Sequence, residues 1–302
     1  MSTPLPESGH DPVLLDACLH WLNPQPGKTV VDCTVGRGGH SQAIAERLKP
    51  DGTLIGLDYD PRNLDYAANR LNGLPARLFH ANFAELSDAL HEANVRAVDG
   101  ILADLGISTN QLFDTQYGLS FARDDALDMR LDPRNRLTAK QIVNNWGEQK
   151  IADTLYLLAD ERFSRRIARK IVETRRLSPI NSTGQLADMV RAVVPKPKGR
   201  KPGEIDPATR TFMALRMAVN DEMGNLERFL AAAPSLLKPG GRLAVISFHS
   251  TEDRLVKQAF RTLAQTGAVK LLTNKPITPD DAETARNPRA RSAKLRVVEK
   301  SP

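Results

Sequence analysis

The chain has 302 residues, of which 41% are hydrophobic and 26% charged, so it can bury a core and is not disordered throughout. Its 42 basic and 36 acidic residues give a net charge of +6, which favours an anionic partner such as nucleic acid or an acidic membrane surface. Two cysteines are too few for a disulfide framework, and no apolar run reaches the roughly 18 residues of a membrane span. We therefore expect a cytoplasmic protein without a membrane anchor.

The first hundred residues alternate predicted strands with predicted helices. The strands are predicted at residues 29–35, 53–60, 77–80 and 98–105. Helices are predicted between them, over residues 41–48, from Pro61 onward, and over residues 83–93. Strands separated by helices of this length indicate βαβ units and a parallel sheet.

The alternation of strands and helices then stops, and no strand is predicted in the next hundred residues. Helices are predicted there over residues 138–146, 151–175, 183–194 and 208–219. The α/β pattern returns with helices over 221–237 and 251–263 and strands over 241–248, 269–273 and 294–298. We predict one α/β domain from residues 1–110 and 220–302, interrupted by an all-helical domain of residues 111–219. Residues 195–205 and 274–287 are predicted to be flexible loops.

A glycine-rich turn, Gly36-Arg-Gly-Gly-His40, follows the first predicted strand and opens a helix. Glycines let backbone N–H groups approach a ligand, and a helix N-terminus is electropositive. Ser41 stands where the dinucleotide motif has its third glycine, which weakens a nicotinamide interpretation. Asp58 follows the glycines by about 20 residues, where a carboxylate can accept both ribose hydroxyls or merely cap the next helix. These residues leave S-adenosylmethionine and NAD as candidate cofactors, in that order.

Asp104 ends the fourth predicted strand, at the sheet edge where open α/β folds bind ligands. Its alternative role is to stabilise the turn before Gly106. His249 stands near a serine and two acids, but adjacency in sequence does not make a catalytic triad. We instead predict that Ser250 with Asp253 caps the following helix. No cluster of histidine, cysteine and carboxylate residues has metal-ligand spacing, so no catalytic metal is predicted.

Basic residues recur at helical spacing over residues 162–176 and again in two flexible basic segments, residues 196–201 and 286–291. They can share a face against an RNA phosphate backbone, or form an ordinary solvated helix face. Aromatic residues are only 5%, which argues against a broad base-stacking platform, so phosphate contacts should dominate with one nucleotide drawn into a pocket. The RNA-binding candidates are Arg165, Arg166, Arg169, Lys196, Lys198, Arg200, Lys201, Arg210, Arg289 and Arg291.

Seven sequence blocks in a fixed order resemble the bacterial 16S rRNA (cytosine-N4)-methyltransferases of the RsmH (MraW) type. They are HDPVLL (residues 10–15), DCTVGRGGHS (32–41), DLGIS (104–108), LDMR (127–130), PATRTF (207–212), SFHS (247–250) and NPRARS (287–292). The chain departs from the family pattern at Cys33, where glycine is expected, at Asp206, where histidine is usual, and at Asp125-Ala126, where Gly-Pro is usual.

The resemblance implies a class I (Rossmann-like) S-adenosylmethionine-dependent methyltransferase sheet with an inserted helical domain that binds the substrate. It also implies S-adenosylmethionine as the donor and N4 of a single cytidine in the decoding region of 16S rRNA, in the small ribosomal subunit, as the acceptor. Phe83, otherwise expected in the core, would lie against the adenine. The cofactor contacts carried over from the family fall on Gly38, Gly39, His40, Asp58, Phe83, Asp104 and Gln111.

Methylation of a cytosine amine needs an acceptor for its hydrogens, because the N4 lone pair is delocalised into the ring. Asp104 is the candidate catalytic residue, with a backbone carbonyl near residues 105–107 as the alternative. His249 is a weaker candidate that would line the acceptor pocket. Three other functions remain open: a nicotinamide-dependent oxidoreductase, a non-catalytic rRNA-binding or assembly factor with the same fold, and a DNA cytosine or adenine methylase. The sequence leaves both a monomer and a homodimer open.

Overall fold

The computed structural model describes residues 12–195 and 206–302. The chain divides into two compact units. The first, called here the α/β unit, contains the residues up to 106 and residues 223–302. The second, called here the helical unit, contains residues 107–222. That the inserted segment binds the substrate stays a prediction.

A seven-stranded sheet forms the α/β unit, and every strand predicted from the sequence is present in it. Its order across the sheet is β3-β2-β1-β4-β5-β7-β6. This arrangement confirms the predicted α/β fold class. The strands are β1 (Thr29–Asp32), β2 (Thr53–Asp58), β3 (Ala76–His80), β4 (Val98–Asp104), β5 (Leu237–Ser247), β6 (Val269–Leu271) and β7 (Lys294–Lys300).

Helices connect the strands and supply the helical unit. Those preceding or connecting the strands of the α/β unit are α1 (Leu15–Leu22), α2 (Gly39–Leu48), α3 (Pro61–Arg70), α4 (Leu86–Glu92), α11 (Glu222–Ala232), α12 (Ser250–Gln265) and α13 (Asp281–Arg286). Those of the helical unit are α5 (Thr109–Phe113), α6 (Ala139–Asn145), α7 (Glu148–Ala159), α8 (Ser164–Arg175), α9 (Thr183–Val193) and α10 (Ala208–Val219). Among the described residues, no helix combines the length and apolar character that a membrane span requires.

Two hydrophobic cores cover the two faces of the sheet. Successive residues of a strand point to opposite faces, so Val31 and Ile101 belong to one core while Val30 and Leu102 belong to the other. Helices α4, α11 and α12 supply the first core, and helices α1, α2 and α3 supply the second. Because both faces are covered, the central strands are nearly continuous runs of buried residues.

The parallel sheet predicted for the first hundred residues is confirmed for β1 to β4, and the one antiparallel strand lies in the second part of the α/β unit. Strand β7 lies between β5 and β6 and runs antiparallel to both. If β7 were parallel to β6, the chain would have to cross over to the opposite end of the strands before β7 begins. Strand β7 instead begins at the same end of the sheet at which β6 finishes. The segment between them is held by the pairing of Ile277 with Leu295. That segment was predicted to be a loop throughout, but it also contains α13, which Asp280 caps by accepting a hydrogen bond from the Glu283 N–H at 2.7 Å.

The helical unit packs its helices around buried aliphatic side chains such as Ile151 and Leu155 of α7 and Ile167 and Ile171 of α8. The sequence predicts one helix over residues 151–175, but the structure has two, α7 and α8. The break lies at Asp160, which takes a left-handed conformation (φ 50°) that an aspartate tolerates better than most residues. The continuous apolar spacing therefore concealed a helix end.

Gly52, in the turn before β2, has no room for a side chain. A Cβ at this position would lie 2.5 Å from the carbonyl oxygen of Leu48 and 2.7 Å from that of Lys28, and both are backbone atoms. We expect Gly52→Ala to lower the free energy of unfolding by about 1–3 kcal/mol, as overpacking does. Urea denaturation followed by circular dichroism measures this change. Gly100→Ala is the matched control, because its Cβ would meet Leu22 and Val30 at an ordinary 3.5 Å and should cost less.

Candidate functional site

Three aspartates end neighbouring strands at one edge of the sheet. Asp32 ends β1, Asp58 ends β2 and Asp104 ends β4. The three strands are parallel, with β1 in the middle. Their carboxyl ends therefore meet at the same edge, which is where ligands bind in open α/β folds. Both acids that the sequence singled out, Asp58 and Asp104, lie there.

The glycine-rich turn between β1 and α2 also lies at this edge. Gly36 (φ 53°) and Gly38 (φ 79°) both take the left-handed conformation, which favours glycine. Gly38 is the N-cap of α2 and has no side chain to accept a hydrogen bond, so the helix begins without a side-chain cap. A Cβ on Gly39 would lie 3.2 Å from Pro12, so a larger residue would press on the preceding chain. The backbone N–H groups of this helix start are suited to an anionic ligand group.

Asp58 holds the turn against β2. Its Oδ2 accepts a hydrogen bond from the Gly36 N–H at 2.7 Å, and its Oδ1 accepts one from the Asp60 N–H at 2.8 Å. Burial raises the pKa of Asp58 to about 7, although these hydrogen bonds act in the opposite direction. A carboxyl group with this pKa changes its charge close to neutral pH.

Asp104 is the least satisfied acid at this edge. Its N–H donates to the Thr34 hydroxyl at 2.7 Å, and its Oδ2 lies 3.7 Å from Nδ1 of His40. Its Oδ1 is buried and has no hydrogen-bond partner in residues 12–195 and 206–302. Burial, then the negative charges of Asp32 and Glu252, raise the pKa of Asp104 well above its usual value. A buried polar atom without a partner is costly and marks a place where a ligand can bind.

Asp104 has two buried neighbours, His40 and Asp32. His40 is buried, unlike the surface cap that a histidine at a helix start most often forms, and its Nε2 lies 2.9 Å from the Val13 carbonyl oxygen. A carbonyl oxygen only accepts, so Nε2 carries the hydrogen. Asp32 accepts from the Ser41 hydroxyl at 2.6 Å, and burial raises its pKa while His40 lowers it. His40 and Asp32 are thus buried groups that influence Asp104 at the carboxyl edge of the sheet.

Two predicted cofactor residues have structural contacts of their own. Phe83 is 8% exposed and packs edge-to-face on Phe229, with ring centroids 5.5 Å apart, so most of its surface belongs to the core. Gln111 lies in the helical unit, where its Oε1 accepts from the Ser108 N–H at 3.1 Å and completes a capping box at the start of α5. Their predicted contacts with a cofactor stay predictions.

The predicted cap of α12 by Ser250 and Asp253 is wrong. His249 is the N-cap: its Nδ1 accepts from the Glu252 N–H at 3.4 Å, and its Nε2 lies 3.0 Å from Glu252 Oε1. Asp253 instead pairs with Arg296 at 2.7 Å. Sequence reasoning missed Glu252, which is buried and raises the pKa of Asp104. The signal was a capping box, a glutamate three residues after a polar N-cap, with histidine in the position usually held by serine or threonine.

The predicted RNA-binding residues are distributed over both units. Arg165, Arg166 and Arg169 are exposed on α8, and Arg210 is exposed on α10, where it donates to the Asp160 carbonyl oxygen at 3.2 Å. In the α/β unit, Arg291 is exposed and Arg289 is partly buried, and this burial lowers the pKa of Arg289. The candidates that lie outside the described residues are Lys196, Lys198, Arg200 and Lys201.

Two of the departures from the family pattern, Asp206 and Cys33, have ordinary structural roles. Asp206 pairs with Arg191 at 3.1 Å, and its Oδ1 accepts from the Ala208 N–H at 2.9 Å at the start of α10. Cys33 is buried and its N–H donates to the Leu102 carbonyl oxygen at 2.8 Å, which continues the pairing of β1 with β4.

Comparison with known proteins finds similarity over nearly the whole chain. A sequence model of the MraW methylase family matches residues 7–301. The ribosomal RNA small subunit methyltransferase H of Acidobacterium capsulatum is 48% identical, with 96% of this chain and 98% of that protein covered. The protein of the same name from Syntrophobacter fumaroxidans is 47% identical, with 98% of each chain covered. That from Geobacter sulfurreducens is 45% identical, with 96% and 98% covered.

Asp104 should reduce the stability of the fold at high pH. Its pKa is raised in the folded protein, so folding favours the protonated form, and stability falls as pH rises from the unfolded pKa, about 3.9, through the folded value. We expect Asp104→Asn to unfold at a higher temperature than wild type at pH 8, with the difference disappearing near pH 4. Calorimetry at the two pH values measures it.

Asp253→Asn is the control of opposite sign. Burial alone would raise the pKa of Asp253, but Arg296 and Lys294 lower it overall, so its carboxylate stabilises the fold at neutral pH. This substitution should lower the melting temperature at pH 8. A destabilised Asp104→Asn protein at pH 8 would show that the carboxylate of Asp104 is compensated by contacts that the structure does not contain.

Proposed function

The chain belongs to the MraW methylase family, and from this premise we propose that it methylates N4 of a single cytidine in the decoding region of 16S rRNA. It is a methyltransferase of small-subunit ribosomal RNA, and S-adenosylmethionine is its methyl donor. The observation that carries the proposal is the family match over residues 7–301, because it spans both units and includes every described candidate residue at the sheet edge. The proposed reaction takes place in the cytoplasm, on the small ribosomal subunit.

The residues at the carboxyl edge of the sheet fit the donor. Asp58 offers a carboxylate to the two ribose hydroxyls, and the uncapped start of α2 offers the N–H of Gly39 to the carboxylate of the amino acid end. The N–H of Gly38 already donates to the Val35 carbonyl oxygen at 2.8 Å, so Gly38 would contribute the shape of the turn. Oδ1 of Asp104, which has no partner within the described part of the chain, offers an acceptor beside them. When bound, the donor supplies a methyl group on a positively charged sulfur that is also the leaving group.

Asp104 is the residue we assign to the acceptor amine. Cytosine N4 is a poor nucleophile because its lone pair is shared with the ring. A carboxylate that accepts a hydrogen bond from the amine localises that pair and can take the proton as the new bond forms. Alignment does the remaining work, since well-oriented reactants can remove roughly 7–11 kcal/mol of a barrier. His249 stays a weaker candidate for lining the same pocket.

The raised pKa of Asp104 is compatible with this role. In the free protein the buried acid is surrounded by the negative charges of Asp32 and Glu252 and favours its protonated form. A positive charge bound at the same edge favours the carboxylate instead. The bound cation therefore lowers the pKa of Asp104 and converts the acid into a carboxylate that can accept a proton from the amine.

The rRNA is assigned to the basic surfaces. Arg165, Arg166 and Arg169 of α8 point exposed guanidinium groups to solvent, and together with Arg210 and Arg291 they provide positive charge on both units. We propose that these groups hold phosphates and thereby position one cytidine. Sedimentation of the protein at increasing concentration distinguishes a monomer from a homodimer.

The direct test is to incubate unmethylated small ribosomal subunits with the protein and a donor labelled on its methyl group. Digestion of the rRNA and mass spectrometry then identify the labelled nucleotide and the labelled atom. We expect one N4-methylcytidine in the decoding region. Label on another base or atom would refute the assignment of the acceptor. Binding of the subunits without label would instead indicate a non-catalytic assembly factor.

Asp104→Asn tests the proton acceptor. The amide cannot take a proton from the amine, so at saturating donor we expect kcat to fall by about 10²- to 10⁴-fold. Isothermal titration with the donor shows how much of the change is in binding. Near-normal kcat in this variant would remove Asp104 from the proposed mechanism and favour the backbone carbonyls of residues 105–107.

Asp58 should make donor binding depend on pH. Its pKa of about 7 means that the carboxylate, which is the form that accepts from ribose hydroxyls, is lost as pH falls through neutrality. We expect the dissociation constant of the donor to rise between pH 8 and pH 6 in wild type. In Asp58→Asn we expect weaker binding by about ten- to a hundred-fold, as for a lost charged hydrogen bond, and a shallower pH profile. Asp51→Asn, at an exposed position, is the control and should retain the wild-type profile.

A further inference from the structure

The helical unit contains a cavity that the proposed transfer of a methyl group does not use. It has a volume of about 250 Å³ and lies between α7 and the beginning of α8. Sites for drug-sized molecules are larger, about 300–1,000 Å³, so this cavity suits one small ring system. Its wall contains two aromatic residues, Tyr156 and Phe163, together with one acid and three arginines.

Tyr156 provides an open aromatic surface. Its side chain is 55% exposed, although tyrosine rings are usually buried or packed. Within the described residues its ring forms no stacked or edge-to-face pair with another ring. An exposed ring at the mouth of a small cavity is the arrangement on which an unstacked nucleic-acid base binds.

The cavity wall contains three arginines that supply positive charge. Arg162, Arg165 and Arg166 are exposed, and none of them forms an ion pair in the part of the chain that the structure describes. Guanidinium groups bind phosphate through paired hydrogen bonds and stack on flat rings. Three of them at one cavity favour a ligand with a flat ring and adjoining phosphates.

Asp153 limits which base fits. It is the acid of the cavity wall, and its Oδ1 accepts a hydrogen bond from the Gln149 amide at 2.7 Å. A carboxylate at this place disfavours a bare anion but accepts a hydrogen bond from an exocyclic amine, as acids do with N4 of cytosine. The cavity therefore favours adenine, cytosine or guanine over uracil, which has no such amine.

We propose that this cavity binds one unpaired nucleotide of the rRNA, distinct from the cytidine that receives the methyl group. The base lies on Tyr156 with its amine toward Asp153, and the neighbouring phosphates contact Arg162, Arg165 and Arg166. The proposal rests on the proposed function for the identity of the RNA, but its chemistry is that of any single-stranded segment. It gives the helical unit a specific contact in addition to general attraction to phosphate.

Fluorescence anisotropy with labelled eight-nucleotide RNAs of adenosine, cytidine or uridine tests the cavity directly. We expect the adenosine and cytidine RNAs to bind wild type more tightly than the uridine RNA. Tyr156→Ala should weaken them by about 5- to 100-fold, the range for one stacked base, whereas Tyr156→Phe keeps the ring and should bind nearly as wild type. Asp153→Ala should reduce the preference over uridine.

The arginines are tested by the salt dependence of binding. For single strands each lost phosphate contact should reduce the slope of log affinity against log salt concentration by about 0.7, so Arg166→Ala should give a shallower slope. Leu157→Ala is the matched control for exposed apolar surface, since Leu157 is 67% exposed and does not line the cavity. Arg261→Ala, on the exposed surface of α12, controls for the loss of one positive charge.

The outcomes separate this proposal from the proposed function. If wild type methylates small subunits but Tyr156→Ala changes neither RNA affinity nor KM for the subunits, the nucleotide cavity is wrong and the function stands. If Tyr156→Ala weakens RNA binding but wild type transfers no methyl group, only the function is wrong. If Tyr156→Ala leaves RNA affinity unchanged and alters the sedimentation of the protein alone, the surface is a contact between copies, and the nucleotide proposal is also wrong.

Discussion

The burial of several carboxylates at one edge of the sheet is the constraint on which the α/β unit depends. Asp32, Asp58 and Asp104 each end a strand, and burial raises the pKa of all three. Hydrogen bonds from Ser41, Gly36 and Asp60 compensate the first two, whereas Oδ1 of Asp104 has no partner among the described residues. Such an arrangement is unfavourable in the free protein and becomes favourable when a cationic ligand with hydroxyl donors binds. The buried carboxylates therefore lower the stability of the free protein at the edge where ligand binding would raise it.

The same edge explains why the glycines stand where they do. Asp58 can accept from Gly36 only if the turn after β1 folds back toward β2, and the left-handed conformations of Gly36 and Gly38 allow this. The turn then presents the start of α2 next to the acids. A side chain on Gly38 would add strain at a positive φ, and one on Gly39 would press on Pro12. The glycines therefore serve the geometry of the turn first, and any ligand uses the space that results.

Much of this edge could be predicted from the sequence, because short patterns fix it locally. Asp58 and Asp104 could be predicted because each is an acid at the end of a predicted strand. Gly38 and Gly39 could be predicted because they belong to a glycine-rich turn before a helix. The features that sequence reasoning missed depend on distant packing. Asp160 interrupts an apolar pattern that continues unbroken through α7 and α8, and the antiparallel direction of β7 follows from the path of the chain after β6. His249 caps α12 although serine is the more usual cap, because its ring also meets Glu252.

The proposed function divides the binding of donor and rRNA between the α/β unit and the helical unit. An edge built from buried acids suits a small cationic ligand but repels a polyanion, since each phosphate brings a negative charge to a carboxylate-rich surface. Arginines on α8 place the compensating positive charge on the inserted segment, away in sequence from the acids. The break at Asp160 also matters here, because separating α7 from α8 creates the cavity between Tyr156 and Arg162 that a single continuous helix could not have. A helix end that the apolar pattern conceals thus forms the cavity that we propose as the nucleotide site.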